Sequence, residues 1–340
     1  MRLLFIGFGT VGQGLAELLV EKEENLSKEY GIDFQVIGIS DKLKGSIYNN
    51  DGLDLKEALE KVKSGESLFD LSGYKYEGDA LSMILKAEAD VMLEATYTDI
   101  KTAEPATAHI RKALERSIHV VTTNKGPTAL FYKELSRLAQ EKGVRFLFEG
   151  TVMSGTPLLN LLRETLAASS VQEIKGILNG TTNYILTRME EGLSYEEALK
   201  KAQELGYAEA VPDADVLGWD ALAKVTILAK VVFGARRKPF DYPCEGITGI
   251  TAAAITDAKN RGKRFKLIGK VWREGSNIKA SVAPEEIALA HPLAGVMGAT
   301  NAVTITTDTL GEVTVVGPGA GRRETGYSML IDLIKIGSQK

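Results

Sequence analysis

A glycine-rich turn between an apolar strand and a helix, at the very start of the chain, restricts the fold more than any other feature. Residues 2–6 (Arg-Leu-Leu-Phe-Ile) read as a short buried strand, and Gly7-Phe8-Gly9-Thr10-Val11-Gly12 follows directly in the pattern G-x-G-x-x-G. Residues 11–22 then place Val11, Leu15, Leu18 and Leu19 on one helical face. In this pattern Gly7 permits the tight turn, Gly9 lets the backbone approach a pyrophosphate, and Gly12 allows close helix packing. The helix start offers free N–H groups and a positive dipole end to phosphate. The competing reading is a purely structural turn in some other α/β protein; the strand–turn–helix context favours a dinucleotide site.

The alternation continues through the first half. Strands are expected at 34–40, 89–95, 117–122 and 144–148, with helices at 104–115 and 128–142, which predicts a Rossmann-type doubly wound parallel sheet. After about Gly150 the texture changes. Helices are expected at 156–168 and 179–190, flanking a strand around 174–177. Ser194 followed by Glu197 is a capping-box signature for a helix over 195–205, which Gly206 ends. A further helix is expected at 217–233 and strands at 266–273, 278–282, 302–307 and 313–316. A glycine-rich turn, Gly317-Pro318-Gly319-Ala320-Gly321, leads into a last helix over 325–336. These patterns predict two domains: residues 1–149 plus 317–340 binding the dinucleotide, and 150–316 forming an α+β catalytic domain with a mostly antiparallel sheet.

The chain's 340 residues suit two domains of ~150 residues each. A net charge of −4 argues against a nucleic-acid-binding face, and no apolar run approaches the roughly 18 residues of a membrane span. The first residues break into glycines too early for a signal peptide, so a cytoplasmic location is expected. The single cysteine, Cys244, excludes an intrachain disulfide and reads as a small buried hydrophobe. His109, His119 and His291 read as helix-surface, strand and loop residues without metal-site spacing.

Two places carry chemistry that spacing alone leaves open. Asp220 and Lys224 lie four apart on one helix face, either as a solvated ion pair or, given the apolar Val225, Ile227, Leu228, Val231 and Val232, as the lining of a pocket. At the end of the second strand stand Ser40-Asp41-Lys42-Leu43-Lys44. An acidic residue there would hold the ribose of NAD and lysines would favour a 2′-phosphate, so the choice between NAD and NADP stays open.

The run from Gly206 to Lys224, GYAEAVPDADVLGWDALAK, resembles the substrate signature of homoserine dehydrogenases. Five further segments match that family in order along the chain. They are Gly7–Gly12, Val121-Thr122-Thr123-Asn124-Lys125-Gly126-Pro127, the stretch from Glu149 to Pro157 (EGTVMSGTP), the stretch from Asn179 to Leu186 (NGTTNYIL), and GPGAG with Thr325. Val211 departs from the pattern, standing where the family usually has an acidic residue.

The resemblance implies reversible NAD(P)-dependent interconversion of L-homoserine and L-aspartate-4-semialdehyde, in threonine and methionine biosynthesis. Lys224 would be the acid/base, with Asp220 and Lys125 beside it in catalysis, and Glu209, Asp215 and Asp220 would bind substrate. Physically, oxidising an alcohol needs a base aimed at the hydroxyl, and burial makes a lysine give up its proton more readily. Cofactor contacts would come from Gly7, Phe8, Gly9, Thr10, Val11, Gly12, Thr96, Lys125, Gly206 and Gly321. A monovalent cation such as Na⁺ would be held by mainly backbone oxygens of Glu149, Val152, Ser154 and Thr156; an ordinary turn capped by Glu149 is the alternative. The Asn179–Asn183 stretch reads first as a helix cap, with substrate-carboxylate or wall contacts at that helix start as the functional alternative. The chain would be the short form, without aspartate kinase or threonine-sensing domain, and would form a homodimer or homotetramer through the second domain's sheet. The alternatives are an aspartate-semialdehyde dehydrogenase, which needs a Cys–His pair, and a non-catalytic dinucleotide sensor.

Overall fold

The strand β1 (Arg2–Ile6) is buried on both faces, with Leu3, Leu4, Phe5 and Ile6 all at 0% exposure, as a central parallel strand must be. The computed structural model describes residues 1–71 and 73–338 and divides into two units: Met1–Gly155 with the chain from Gly321 onward, and Thr156–Ala320. In the first unit β1 pairs in parallel with β2 (Gln35–Asp41) and β4 (Val91–Glu94). β5 (His119–Thr122) and β6 (Phe146–Leu147) extend the parallel run. β3 (Gly45–Tyr48) folds back antiparallel on β2 as an edge, giving the order β3-β2-β1-β4-β5-β6. The doubly wound sheet expected from the alternation is therefore present, with one antiparallel edge strand that was not anticipated.

The helices of this unit are α1 (Thr10–Tyr30), α2 (Leu55–Lys63), α3 (Ala80–Lys86), α4 (Ala106–Glu115), α5 (Lys125–Glu141) and the C-terminal α11 (Arg322–Gly337). α1 runs well past the expected residue 22. Residues 21–30 are rich in Glu and Lys, good helix formers, and Gly31 in the left-handed conformation (φ 64°) ends the run. His109 is not on a helix surface as expected: it is buried in α4, and burial pushes its pKa down to about 4, so it is neutral at pH 7. α1 and α11 cross at glycines. A Cβ on Gly14 would stand 2.1 Å from the Arg322 carbonyl oxygen, and one on Gly326 would stand 2.5 Å from the Leu15 nitrogen.

The second unit is built on a sheet of order β11-β10-β7-β8-β9 in which every pair is antiparallel. Its strands are β7 (Val171–Ile177), β8 (Lys263–Glu274), β9 (Asn277–Ala288), β10 (Thr300–Thr307) and β11 (Gly311–Pro318), and its helices α6 (Gly180–Glu190), α7 (Tyr195–Glu204), α8 (Asp213–Val216), α9 (Trp219–Phe233) and α10 (Ala252–Asn260). The expected capping box opens α7, with Ser194 and Glu197 bonding reciprocally. α9 lies on the sheet; a Cβ on Gly269 of β8 would stand 2.6 Å from Val225 of α9. The helix expected over 156–168 is reduced to a short stretch around Leu161–Thr165 with a π-type turn. There the Leu166 N–H reaches back five residues to the Leu161 carbonyl at 2.9 Å. The buried spacing of Leu158, Leu162 and Leu166 suits a helical face, and the Leu162 N–H still reaches four residues back to the Leu158 carbonyl at 2.9 Å before the pattern widens to five.

The glycine contact between α1 and α11 yields a stability prediction. Gly14→Ala or Gly326→Ala forces two backbones apart, so each should destabilise the fold by about 1–3 kcal/mol in urea unfolding. An unchanged midpoint would show that the helices do not meet there.

Candidate active site

The functional cluster of the second unit is assembled from the ends of three elements. β7 ends at Ile177, and the next two residues supply a backbone carbonyl, Leu178, and a helix cap, Asn179. The Asn179 Oδ1 accepts the Thr182 N–H at 2.9 Å and so starts α6. Its Nδ2, pointing the other way, donates to Asp215 Oδ1 at 2.7 Å and to Asp220 Oδ2 at 3.0 Å. Asp220 and Lys224 are one turn apart on α9, and Lys224 Nζ donates to Asp220 Oδ2 at 2.7 Å and to the Leu178 carbonyl at 2.6 Å. Lys224 is only 5% exposed, so the pair is not a solvated surface pair.

Asp215 arrives from the short helix α8. Burial, and then the nearby charge of Asp220, push its pKa up, while the hydrogen bond from Asn179 and the charge of Lys224 pull it back. Two carboxylates, one ammonium and a carboxamide thus share a single network. Such a set can bind a zwitterionic amino acid and move a proton to or from a hydroxyl. Glu209 is not drawn into this network; its side chain is exposed, and its carbonyl accepts from Gln203 Nε2 at 3.1 Å. Gly206 ends α7 with φ 74° and belongs to this second unit. Cys244 is half-buried, with its Sγ 3.4 Å from the Leu217 carbonyl, and burial pushes its thiol up to about 11. A thiol that stays protonated at neutral pH is a poor nucleophile, which counts against a cysteine-based mechanism.

In the first unit the glycine turn has the shape a dinucleotide requires. Gly7 has φ 92°, and a Cβ there would stand 2.5 Å from the Ala95 carbonyl oxygen. A Cβ on Gly9 would meet nothing within 4 Å, so the space above this residue is open. Gly9 caps α1 without any side-chain hydrogen bond, leaving the first-turn donors facing that space. Thr10 and Val11 form that first turn, and Gly12 packs against the Gly7 carbonyl. Phe8 is different: its ring is buried edge-to-face against Phe5 at 5.6 Å, and its N–H is donated to Asp41 Oδ2 at 2.8 Å. At the end of β4, the fully buried Glu94 carboxylate accepts the Thr96 N–H at 3.1 Å, the Thr96 hydroxyl, and the Thr122 hydroxyl at 2.8 Å. Asn124 caps α5, in which Lys125 is the first residue, and donates to the Tyr97 carbonyl at 3.1 Å. Gly321 caps α11 with φ 142°.

Glu149, Val152 and Ser154 follow β6. Glu149 is buried and its N–H donates to Asp332 Oδ2 at 2.9 Å. Met153 and Ser154 are in the left-handed region (φ 62° and 53°), and the Ser154 hydroxyl bonds that of Thr325 at 2.7 Å. Thr156, at the start of the second unit, donates its hydroxyl to the Pro318 carbonyl at 3.0 Å. One buried carboxyl residue and a strained turn of non-glycine residues are compatible with an oxygen-lined cation site. Among the described residues no three His, Cys, Asp or Glu side chains cluster as a metal site.

Sequence reasoning does not reveal the bonds of Asn179 to Asp215 and Asp220, or those of Glu94. Asn179 is the expected cap, and its other amide group joins the two carboxylates. Glu94 lies in the expected strand, and its buried carboxylate holds Thr96 and Thr122. Leu43 and Tyr97, 91% and 87% exposed, directly follow β2 and β4, the strands that flank β1.

Comparison with known proteins agrees with this geometry. Two family models match the chain, "Homoserine dehydrogenase, NAD binding domain" over residues 7–149 and "Homoserine dehydrogenase" over residues 157–334. The NAD(+)-dependent homoserine dehydrogenase of Pseudomonas canavaninivorans is 44% identical, over 98% of this chain and 96% of the relative. That of Methanocaldococcus jannaschii is 42% identical, over 99% and 98%. A crystal structure of a putative homoserine dehydrogenase from Archaeoglobus fulgidus superposes with a TM-score of 0.89 at 40% identity, covering 99% of both chains. A hyperthermophilic archaeal homoserine dehydrogenase in complex with NADPH superposes at 0.83 with 34% identity, over 98% of this chain and 97% of that one. The chain belongs to the homoserine dehydrogenase family, and is an NAD(P)-dependent oxidoreductase.

Proposed function

We propose that the second unit binds L-homoserine and that Lys224 exchanges the hydroxyl proton during its reversible oxidation to L-aspartate-4-semialdehyde. The observation that carries this reading is the closed network Asp215–Asn179–Asp220–Lys224, which orients a buried lysine. The Leu178 carbonyl and Asp220 take two of the three Nζ donors and leave the third for a substrate oxygen. In the oxidising direction the neutral amine takes the hydroxyl proton; in the reducing direction the ammonium returns it to the alkoxide. A bound nicotinamide dinucleotide supplies or accepts the hydride. Asp220 and Asp215 provide negative charge for the substrate's ammonium group, and Glu209, on its exposed loop, would join them on binding. Lys125 would be a second lysine of the reaction, at the start of α5.

The remaining roles follow the same reading. Gly7, Gly9, Thr10, Val11 and Gly12 would hold the pyrophosphate, Phe8 would shape that turn, its N–H being held by Asp41, and Thr96, Lys125, Gly206 and Gly321 would be further cofactor contacts. Backbone oxygens of Glu149, Val152, Ser154 and Thr156 would hold a monovalent cation. The second unit would also pair with another copy through the sheet face of Glu173, Lys175, Lys270 and Trp272, giving a homodimer or homotetramer. No helix among the described residues is long and apolar enough to cross a membrane, and the cytoplasm is the proposed compartment.

The test is production of reduced nicotinamide from L-homoserine as the only substrate. Turnover is expected, and Lys224→Ala should lower kcat by roughly 10²–10⁴-fold while leaving dinucleotide affinity unchanged. No turnover by the wild type, or near-normal kcat in Lys224→Ala, would overturn the assignment. Gly9→Val fills only open space, so it should keep the unfolding midpoint and lose cofactor affinity; unchanged affinity would place the dinucleotide elsewhere.

Asn179 allows a pH test. Its amide favours the charged form of Asp215, so Asn179→Ala should raise the Asp215 pKa further. Asp215 would then protonate at a higher pH, and the acid limb of kcat/KM should move upward. An acid limb that stays in place would show that ionised Asp215 is not needed for substrate capture.

A further inference from the structure

We propose that a groove of about 800 Å³ beside the C-terminal end of α9 is a binding site for a small organic acid, a carboxylate carried on an aliphatic body. The groove lies wholly within the second unit, and its role is independent of the reaction proposed above. Val231 and Val232 of α9 form one wall. They stand seven and eight residues past Lys224 on the same helix, roughly 10–12 Å along its axis. The groove is therefore separate from the lysine's network.

Its floor is made by the widened turn at Leu161–Thr165. Leu162 and Leu166 are buried and both line the groove, at the place where the hydrogen-bond step changes from four residues to five. Such turns are uncommon and recur at functional sites. Between those two leucines the same turn carries Arg163, half-buried, which also lines the groove. The remaining wall includes Gln172 of β7 and Arg273 of β8. These alternate along their strands with Glu173 and Trp272, which are partners across the ladder. The groove is thus on the sheet face opposite the one assigned above to self-association.

Charge selects the class of ligand. The lining carries two cations, Arg163 and Arg273, against one anion, Asp308. Asp308 is already engaged: its Oδ1 accepts the Ser170 N–H at 2.8 Å and the Thr309 hydroxyl at 3.0 Å, which hold its carboxyl below the usual range. Arg273 has no such engagement. Its guanidinium lies 6.0 Å from the ring of Phe233, the last residue of α9, and no carboxylate among the described residues pairs with it. The neighbouring Glu274 pairs instead with Lys279 at 3.5 Å, and Arg264, earlier on the same strand, is bonded to Glu190 at 2.8 Å. A guanidinium steadied by an aromatic ring keeps its planar fork of donors for a carboxylate, which it can grip with two parallel hydrogen bonds. Arg236, Arg237 and Lys238, exposed directly after α9, add positive charge at the same end of the helix. The aliphatic body of the ligand would lie on Leu162, Val231 and Val232, exchanging water for apolar contact.

The experiment is a ligand-observed NMR titration of the whole chain with 4-methylpentanoate. Its uncharged counterpart 4-methylpentanamide and the bare head group acetate serve as controls. 4-Methylpentanoate should bind at least about tenfold more tightly than either control. Arg273→Met, which keeps the stem and removes the guanidinium, should lower that affinity about tenfold. Arg273→Lys, which keeps the charge but loses the fork, should fall between the two. Unfolding midpoints verify that the variants fold. Arg273→Met should also leave kcat and KM for homoserine unchanged, because the groove is remote from Lys224. No saturable binding of 4-methylpentanoate, equal binding of the amide, or unchanged affinity in folded Arg273→Met would each overturn the inference. A homoserine KM that rises in Arg273→Met would overturn the separation of the two sites. If the wild type does not oxidise homoserine at all, the proposed reaction fails and the titration still decides the groove.

Discussion

The second unit's site depends on one requirement, that the charged end of a lysine be kept away from water. An ammonium group taken into the interior needs both a counter-charge and hydrogen-bond acceptors, since an unpaired buried charge is heavily penalised. Lys224 obtains them from Asp220, one helical turn away, and from the Leu178 carbonyl at the end of β7. That carbonyl is available because the chain turns there from strand to helix, and Asn179, which makes the turn by capping α6, has an amide left over for Asp215 and Asp220. The position of the lysine is thus fixed by a strand end, a helix cap and a helix face, not by a loop.

The first unit solves a different problem, the approach of a large anion to the protein backbone. Here the constraint is steric before it is electrostatic. Gly7 has no room for a side chain, and Gly9 leaves open the space where one would stand. Asp41 then ties the glycine turn to the neighbouring hairpin through its bond to the Phe8 N–H. Glu94 and Asn124 fasten the loops after β4 and β5 in the same way, each through side-chain bonds to main chain. Burial pushes the Glu94 pKa up against the pull of its Thr96, Thr122 and Asn124 hydrogen bonds. Three polar side chains, at the ends of β2 and β4 and just after β5, therefore tie down the loops that follow these strands.

What could be read from the amino-acid pattern follows from where the information is local. G-x-G-x-x-G after an apolar strand, and Ser194 with Glu197 before α7, are chemical signals a few residues long, and both elements formed as expected. The Asp220–Lys224 spacing announced a shared face but not its environment, because burial depends on β7 and β8, which are distant in sequence. Lys266 makes the same point. In Lys263–Glu274 it looks like one more charged residue of an alternating strand, yet it is buried, bonded to Asn183 Oδ1 at 2.9 Å and to the Val296 carbonyl. Burial pushes its pKa down to about 8. The helix expected at 156–168 failed for the opposite reason: its leucine spacing was correct, but spacing does not specify which carbonyl each N–H will find. The run Asp41-Lys42-Leu43-Lys44 did not reveal which side chain the hairpin is folded around; the N–H groups of Leu43 and Lys44 converge on Asp41.

The charge balance of the second unit's network explains why a zwitterion suits it. With Asp215 and Asp220 ionised and Lys224 protonated, the group carries one net negative charge in a partly desolvated place. The upward push on Asp215, from burial and from Asp220, is the direct expression of that surplus. A substrate ammonium group placed beside the carboxylates would cancel the surplus and favour the ionised form of Asp215, so substrate capture and proton release from the protein are coupled. A neutral alcohol lacking the ammonium would leave the surplus in place, so under the proposed role the network would favour an amino acid over a simple alcohol.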